Sequence, residues 1–221
     1  MSDDSYPVIR EKIEWCRTWV PDCDQAELSI PRVLLIGDSI TMGYGPEAAE
    51  LLKGEASVAW LGTSRFPADP AFMDQLELMF RYDTFDAIHF NNGLHGFDYD
   101  EAVYDKLYRS TVKALREMTP GLPWVLVTST PVRAKTPAAD SADVSEFPAP
   151  ELLPRNARVI QRNETVTSLA QELGLPVNDL YAAMINHPEY VNPDGVHYND
   201  EGKRYQGQVV ADCIRQHLIA R

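Results

Sequence analysis

The sequence predicts an open α/β sheet with helices on both faces, and three observations carry that expectation. Short apolar runs recur along the chain, each followed by turn residues and then by a stretch with helical spacing. Two of these runs, Val33-Leu34-Leu35-Ile36 and Trp124-Val125-Leu126-Val127, are almost continuously hydrophobic, as strands are when helices cover both faces of a parallel sheet. The length of 221 residues suits one large domain that buries its own core, and a composition 44% hydrophobic and 24% charged is globular rather than disordered, collagenous or coiled-coil.

Taken in order, the elements begin with residues 1–30, where Ile9, Ile13, Cys16 and Trp19 fall on one helical face. They predict an N-terminal helical extension that either lies on the domain or makes a homodimer contact. The main domain, 31–221, opens with a strand at 33–36 that runs into Gly37-Asp38-Ser39-Ile40-Thr41-Met42-Gly43 and a helix through Glu47-Ala48-Ala49-Glu50-Leu51-Leu52. Further strands are expected at 57–61, 87–90, 124–127 and 177–180. Val103, Leu107, Tyr108, Thr111, Leu115 and Met118 step by three and four, a helical stripe. Val159, Ile160, Val166, Leu169 and Leu173 repeat it, as do Tyr205, Val209, Cys213, Ile214 and Leu218. Strands alternating with helices in this way define an α/β architecture. A loop rich in Pro, Ala and acids, 134–154, leaves the end of the fourth strand. Long loops of this kind are either lids or passive connections.

Composition excludes several functions. Lysine and arginine number 20 against 33 acids, a net charge of −13 with no local basic stripe, which repels nucleic acid and anionic membranes. No apolar run reaches the roughly 18 residues of a membrane helix. The opening MSDDSYPVIREK is acidic where a signal peptide is basic and then apolar, so a cytoplasmic protein is expected. Cys16, Cys23 and Cys213, odd in number and scattered, fit a reducing compartment and form no metal-like cluster. Neither a metal nor a cofactor is expected.

Binding sites in open α/β sheets lie at the carboxyl ends of the strands. Ser39 stands there, at the start of a helix whose N–H groups and dipole stabilise developing negative charge; the same position also suits a simple helix cap. Far downstream, Asn192-Pro193-Asp194-Gly195-Val196-His197-Tyr198 sets a carboxylate three residues before an imidazole. In one turn such a pair holds the imidazole while its other nitrogen faces a serine; otherwise it is a solvated loop pair. Asp98, His95, Asp194 and His197 lack the spacing of metal ligands.

IGDSITMGYG followed by DGVHY resembles the SGNH hydrolases, the GDSL esterase and lipase superfamily, in blocks that run in the right order from Ile36 to His197. The resemblance implies a three-layer, flavodoxin-like α/β/α sandwich around a five-stranded parallel sheet. It also implies Ser39 as nucleophile, His197 as base and Asp194 as its orienting partner. The family's oxyanion hole joins the serine N–H to a glycine after the second strand and an asparagine after the third. Gly62 is the candidate glycine, with residues 63–65 as substitutes in a slipped register. The third block departs from the family's Gly, any residue, Asn, Asp, and reads Phe90-Asn91-Asn92-Gly93-Leu94-His95-Gly96. Counted from Asp86, an ungapped match puts His95 on the asparagine and a gapped match puts Asn91 there. His95 is favoured, with Asn92 or Asn91 beside it. His89, inside a strand, reads as a core histidine.

The resemblance implies a serine esterase acting through an acyl-enzyme. O-acetyl groups on a carbohydrate are the first substrate choice, and a short-chain acyl, aryl or thioester hydrolase is the second. The chain has no basic amphipathic helix for a lipid interface. Arg65, Arg155-Asn156 and Arg162-Asn163 either are rim donors for sugar hydroxyls or have helix N-terminal and surface roles. A reading of another class is a phosphate- or flavin-binding module, with Ser39-Ile40-Thr41-Met42-Gly43 cradling a phosphate; Asp38 opposes it by adding negative charge.

Overall fold

The computed structural model describes residues 10–25, 28–67, 69–136 and 151–219. Five strands, β2 (Arg32–Gly37), β3 (Ser57–Thr63), β4 (Ala87–Phe90), β5 (Trp124–Val127) and β6 (Val177–Asn178), pair in parallel where the apolar runs predict them. The sheet has a sixth, however: its order is β1-β3-β2-β4-β5-β6, and β1 (Cys16–Trp19) lies antiparallel on the outer edge of β3.

β1 corrects the expected N-terminal helix. Residues 13, 16 and 19 do not form a buried stripe; all of β1 is exposed and Ile13 is 73% exposed. What organises the segment is the open edge of β3, whose unpaired backbone groups are costly to leave bare. Trp19 stacks on its register partner Trp60 at 5.5 Å, and Trp15 O accepts from Ser64 N–H at 3.1 Å and Thr63 Oγ1 at 3.1 Å. Ile9, the first residue of the expected stripe, falls outside the described residues.

Among the described residues, six α-helices flank the sheet: α1 (Ser39–Leu51), α2 (Pro70–Tyr82), α3 (Glu101–Met118), α4 (Asn156–Leu173), α5 (Leu180–Ile185) and α6 (Asp200–His217). Alternation along β2 divides the core. Val33 and Leu35 pack with Ile40, Tyr44, Met184, Val210 and Ile214 of α1, α5 and α6. Leu34 and Ile36 pack with Phe72, Leu76, Tyr108 and Val166 of α2, α3 and α4. All four β2 side chains are fully buried, which is why the run carries no polar residue. Each such burial contributes about 1.5–3 kcal/mol.

Three details differ from expectation. β6 stops at Asn178 because Asp179 turns to cap α5, its Oδ1 accepting from Ala182 N–H at 3.0 Å. Ile160, Leu173 and Tyr205, expected in helical stripes, are 36–40% exposed. α2 is not singled out by the sequence reading, although Asp69 at its cap and Pro70 in its first turn are start signals. The base of the 134–154 loop is closed by Ala134 N–H to Glu151 O at 2.7 Å and Leu153 N–H to Val132 O at 3.0 Å. The choice between lid and passive loop rests on residues 137–150, outside the described residues.

Candidate active site

β2 delivers Ser39 to the carboxyl edge of the sheet. Asp38 stays extended and its Oδ1 accepts from Ile40 N–H at 2.8 Å, so Asp38 rather than Ser39 caps α1. Relieved of capping, the Ser39 hydroxyl meets His197 Nε2 at 2.8 Å. His197 Nδ1 in turn lies 2.6 Å from Asp194 Oδ2.

The loop carrying Asp194 and His197 is held on every side. Asn192 N–H donates to His197 O at 2.7 Å, Gly195 N–H to Asn192 O at 2.9 Å, and Val191 bridges Tyr198. From the segment after β5, Arg133 N–H donates to Gly195 O at 2.8 Å and Thr136 N–H to Pro193 O at 3.0 Å. Only glycine fits at 195: its φ is +77° and a Cβ there would stand 2.1 Å from Arg133 O.

Asp194 Oδ1 also accepts from Val196 N–H at 2.8 Å and His197 N–H at 2.9 Å. Partial burial works against its ionisation, but the Val196 N–H, the His197 imidazole and the His197 N–H outweigh it and hold the carboxyl below its ordinary range. An ionised Asp194 accepts the Nδ1 proton and leaves Nε2 bare toward Ser39. The arrangement is open to solvent, with the Asp194 and His197 side chains each 45% exposed.

The expected oxyanion residues divide by direction. Gly62 pairs with Gly37, the last residue of neighbouring β2, and a Cβ there would fall 2.4 Å from Met42 Cγ and 3.4 Å from Asp38 O. The missing side chain therefore lets β3 approach the first turn of α1. His95 turns away to the N-terminal segment, its ring edge-on to Trp15 at 6.2 Å and its Nδ1 3.3 Å from Glu11 Oε1. None of its hydrogen bonds reaches Ser39 or His197. Asn91 points toward β5, donating through Nδ2 to Val127 O at 2.9 Å and Ser129 Oγ at 3.3 Å. Asn92, 2% exposed, donates to Arg65 O at 2.9 Å. Because β2 lies between β3 and β4, that bond crosses the strand end that carries Ser39.

The arginines and asparagines expected at the rim are mostly structural. Arg65 is ion-paired with buried Asp69. Asn156 accepts from Val132 N–H at 3.0 Å, and Asn163 accepts from Ser129 N–H at 2.7 Å. Arg155 is exposed, its guanidinium 4.9 Å from the Phe97 ring. Arg162 is fully buried rather than at the surface. It donates to the carbonyls of Gly93 (3.1 Å), His95 (2.6 Å) and Gly96 (2.9 Å), pairs with Glu101 at 3.0 Å, and lies over the Phe97 and Tyr104 rings at 4.0 and 4.4 Å. It thus shapes the β4–α3 loop that bears Asn92. One signal announces it: Arg162 stands in the apolar stripe of α4, between Val159 and Val166.

His89 is a core histidine, as expected. It is fully buried, accepts from Asn178 Nδ2 at 3.1 Å, and desolvation pushes its pKa down to about 3. Among the described residues no three His, Cys, Asp or Glu side chains gather closely enough to hold a metal ion, and no helix is long and apolar enough to cross a membrane.

No family sequence model and no curated protein sequence matches the chain. Solved structures do. An acetyl xylan esterase superposes with a TM-score of 0.60 at 19% identity, over 83% of this chain and 99% of its own. A carbohydrate acetylesterase from Sinorhizobium meliloti gives 0.62 at 14% identity, over 84% and 99%. A protein from Slackia heliotrinireducens assigned to the SGNH hydrolases gives 0.59 at 20% identity, over 83% and 98%. With a mostly parallel sheet between two helical layers and these structural likenesses, the chain has the fold of the SGNH, or GDSL-type, hydrolases.

Proposed function

We propose that the protein is a serine esterase that hydrolyses a small acyl ester through an acyl-enzyme, with O-acetyl groups on a carbohydrate as the first substrate class. The observation that carries this reading is the relay Asp194–His197–Ser39, with links of 2.6 and 2.8 Å at the carboxyl edge of the sheet. Ser39 Oγ attacks the ester carbonyl while His197 Nε2 takes its proton. Asp194 holds the ring and stabilises the imidazolium. His197 then returns the proton to the departing alcohol, and an activated water releases the acid from Ser39.

The oxyanion is received by Ser39 N–H, Gly62 N–H and the Asn92 amide. Asn92 is preferred to His95 because one of its amide hydrogens is used on Arg65 O and the second is uncommitted, at the strand end beside Ser39. Asn91 spends its amide on Val127 and Ser129. The carbohydrate reading draws on the acetyl xylan esterase and carbohydrate acetylesterase that share the fold. A phosphate-binding module is disfavoured because the Asp38 carboxylate already occupies Ile40 N–H, a donor such a ligand needs. Contact between two copies through the N-terminal segment is supported by exposed Ile13 and Trp19, and a concentration-dependent mass in sedimentation tests it. The esterase reading is tested by acetate release from acetylated monosaccharides and from p-nitrophenyl esters of increasing chain length. Turnover of none of them overturns it.

A further inference from the structure

Beside the Ser39–His197 pair, between the first turns of α1 and α6, lies a cavity of about 250 Å³. It is smaller than the pockets of about 300–1,000 Å³ that enclose drug-sized ligands, and so has room for a single ring. Its place relative to the reacting atoms decides what it holds. Asn92 and Arg65 belong to the sheet face covered by α2 and α3: Tyr104 of α3 donates its hydroxyl to Asn92 O, and Arg65 pairs with Asp69, the cap of α2. The cavity lies on the opposite face, with α1 and α6, where His197 stands. The alcohol oxygen, which receives its proton from His197 Nε2, therefore departs toward the side of the cavity.

The lining is amphipathic. Ile40, Gly43 and the stem of Lys203 make an aliphatic wall; a Cβ on Gly43 would lie 3.6 Å from Lys203 Cγ. Lys203 Nζ is anchored to Asp200 Oδ1 at 3.0 Å. Gln206 also lines the cavity, is 1% exposed, and has a buried Nε2 with no partner among the described residues. A buried donor without an acceptor is costly, and a hydroxyl oxygen seated beside it relieves that cost. An aliphatic wall with an unpartnered donor on a lining residue matches a sugar ring, which has a C–H face and a hydroxyl edge.

We infer that this cavity is the leaving-group subsite, that it takes one neutral sugar ring, and that Gln206 sets the preference for a hydroxylated alcohol. The inference rests on the esterase reading and goes beyond it by assigning the alcohol side of the substrate. The test uses two esters of the same acid, methyl 6-O-acetyl-glucoside and ethyl acetate, and compares the ratio of their kcat/KM values. Gln206→Leu removes the donor while keeping the side chain's bulk, and lowers the sugar-to-ethyl ratio about tenfold, the size of one lost hydrogen bond. Gly43→Leu puts a side chain into the cavity, lowers the ratio further, and weakens inhibition by free methyl glucoside. Both esters falling in parallel in the two variants, or no inhibition of the wild type by methyl glucoside, overturns the subsite. If the wild type turns over ethyl acetate but the ratio is unmoved, the subsite alone fails. If it turns over neither ester, the subsite fails, and if it also leaves the acetylated monosaccharides and the p-nitrophenyl esters intact the esterase reading fails with it.

Discussion

At the scale of single residues, the site depends on a division of labour between neighbours. Asp38 caps α1, so Ser39 has only His197 to answer to. Ser39→Ala is expected to lower kcat by about 10³-fold or more while leaving the circular dichroism spectrum and the unfolding midpoint unchanged. A serine-directed phosphonate labels Ser39 in the wild type, and labelling of another serine with activity intact in Ser39→Ala contradicts the assignment. Loss of an oxyanion donor acts only where negative charge develops. Asn92→Ala is accordingly expected to reduce kcat by about 10²–10³-fold with little change in KM. His95→Ala, whose imidazole faces Glu11, should cost far less. The reverse order of the two defects would restore the ungapped register. That register was the least legible part of the sequence, because its residues sit in the ten-residue connection between β4 and α3, where no periodicity sets the direction of a side chain.

The elements themselves show what periodicity can and cannot report. Continuous apolar runs mark β2 and β5 because both faces of each are covered, and α3 is found although its buried side is Tyr104, Tyr108, Thr111, Val112 and Leu115, of which the expected stripe held three. β1 has no buried face. Its three-residue spacing of Ile13, Cys16 and Trp19 is a coincidence that edge pairing overrides. The relay was readable because the turn after β2 and the hairpin before α6 each carry a short, local motif. The scaffold of the β4–α3 loop was not, since it is supplied by Arg162 from a helix more than sixty residues away in the chain. Removing one member of a buried, hydrogen-bonded charge set costs about 3–5 kcal/mol. Arg162→Met is therefore expected to lower the unfolding free energy extrapolated from urea titration by that measure. Arg162→Lys, which restores charge without the fork that serves three carbonyls, should recover part of the stability and still show a kcat below that of the wild type. Equal kcat in Arg162→Lys and the wild type would mean that the loop keeps its shape without the guanidinium.

For the whole molecule, the sheet separates two groupings: Asn92 and Arg65 lie with α2 and α3, His197 and the cavity with α1 and α6. Between them, in the core of the sheet, His89 stays neutral. Its folded pKa of about 3 lies below the ordinary value of 6.5, so between those limits the unfolded chain binds a proton that the folded chain refuses. Its contribution to stability is full above pH 6.5 and drains away as the pH falls toward 3, with a limiting slope of about 1.4 kcal/mol per pH unit. Urea midpoints measured across that window should fall with pH in the wild type and fall less steeply in His89→Asn. Parallel curves would show that His89 is protonated inside the fold.

The closed base of the loop after β5 has a bearing on how such a protein changes over generations. Ala134 and Glu151, and Val132 and Leu153, meet like the two sides of a clasp, and the hairpin that carries Asp194 and His197 is fastened below it through Arg133 and Thr136. Whatever is inserted, shortened or exchanged beyond the clasp leaves the relay's attachment points where they are. Replacing residues 137–150 by a short Gly-Ser connection should therefore yield a folded protein whose Ser39 still reacts with a phosphonate. Changes confined to residues 137–150 would leave the Asp194–His197–Ser39 relay to be inherited intact.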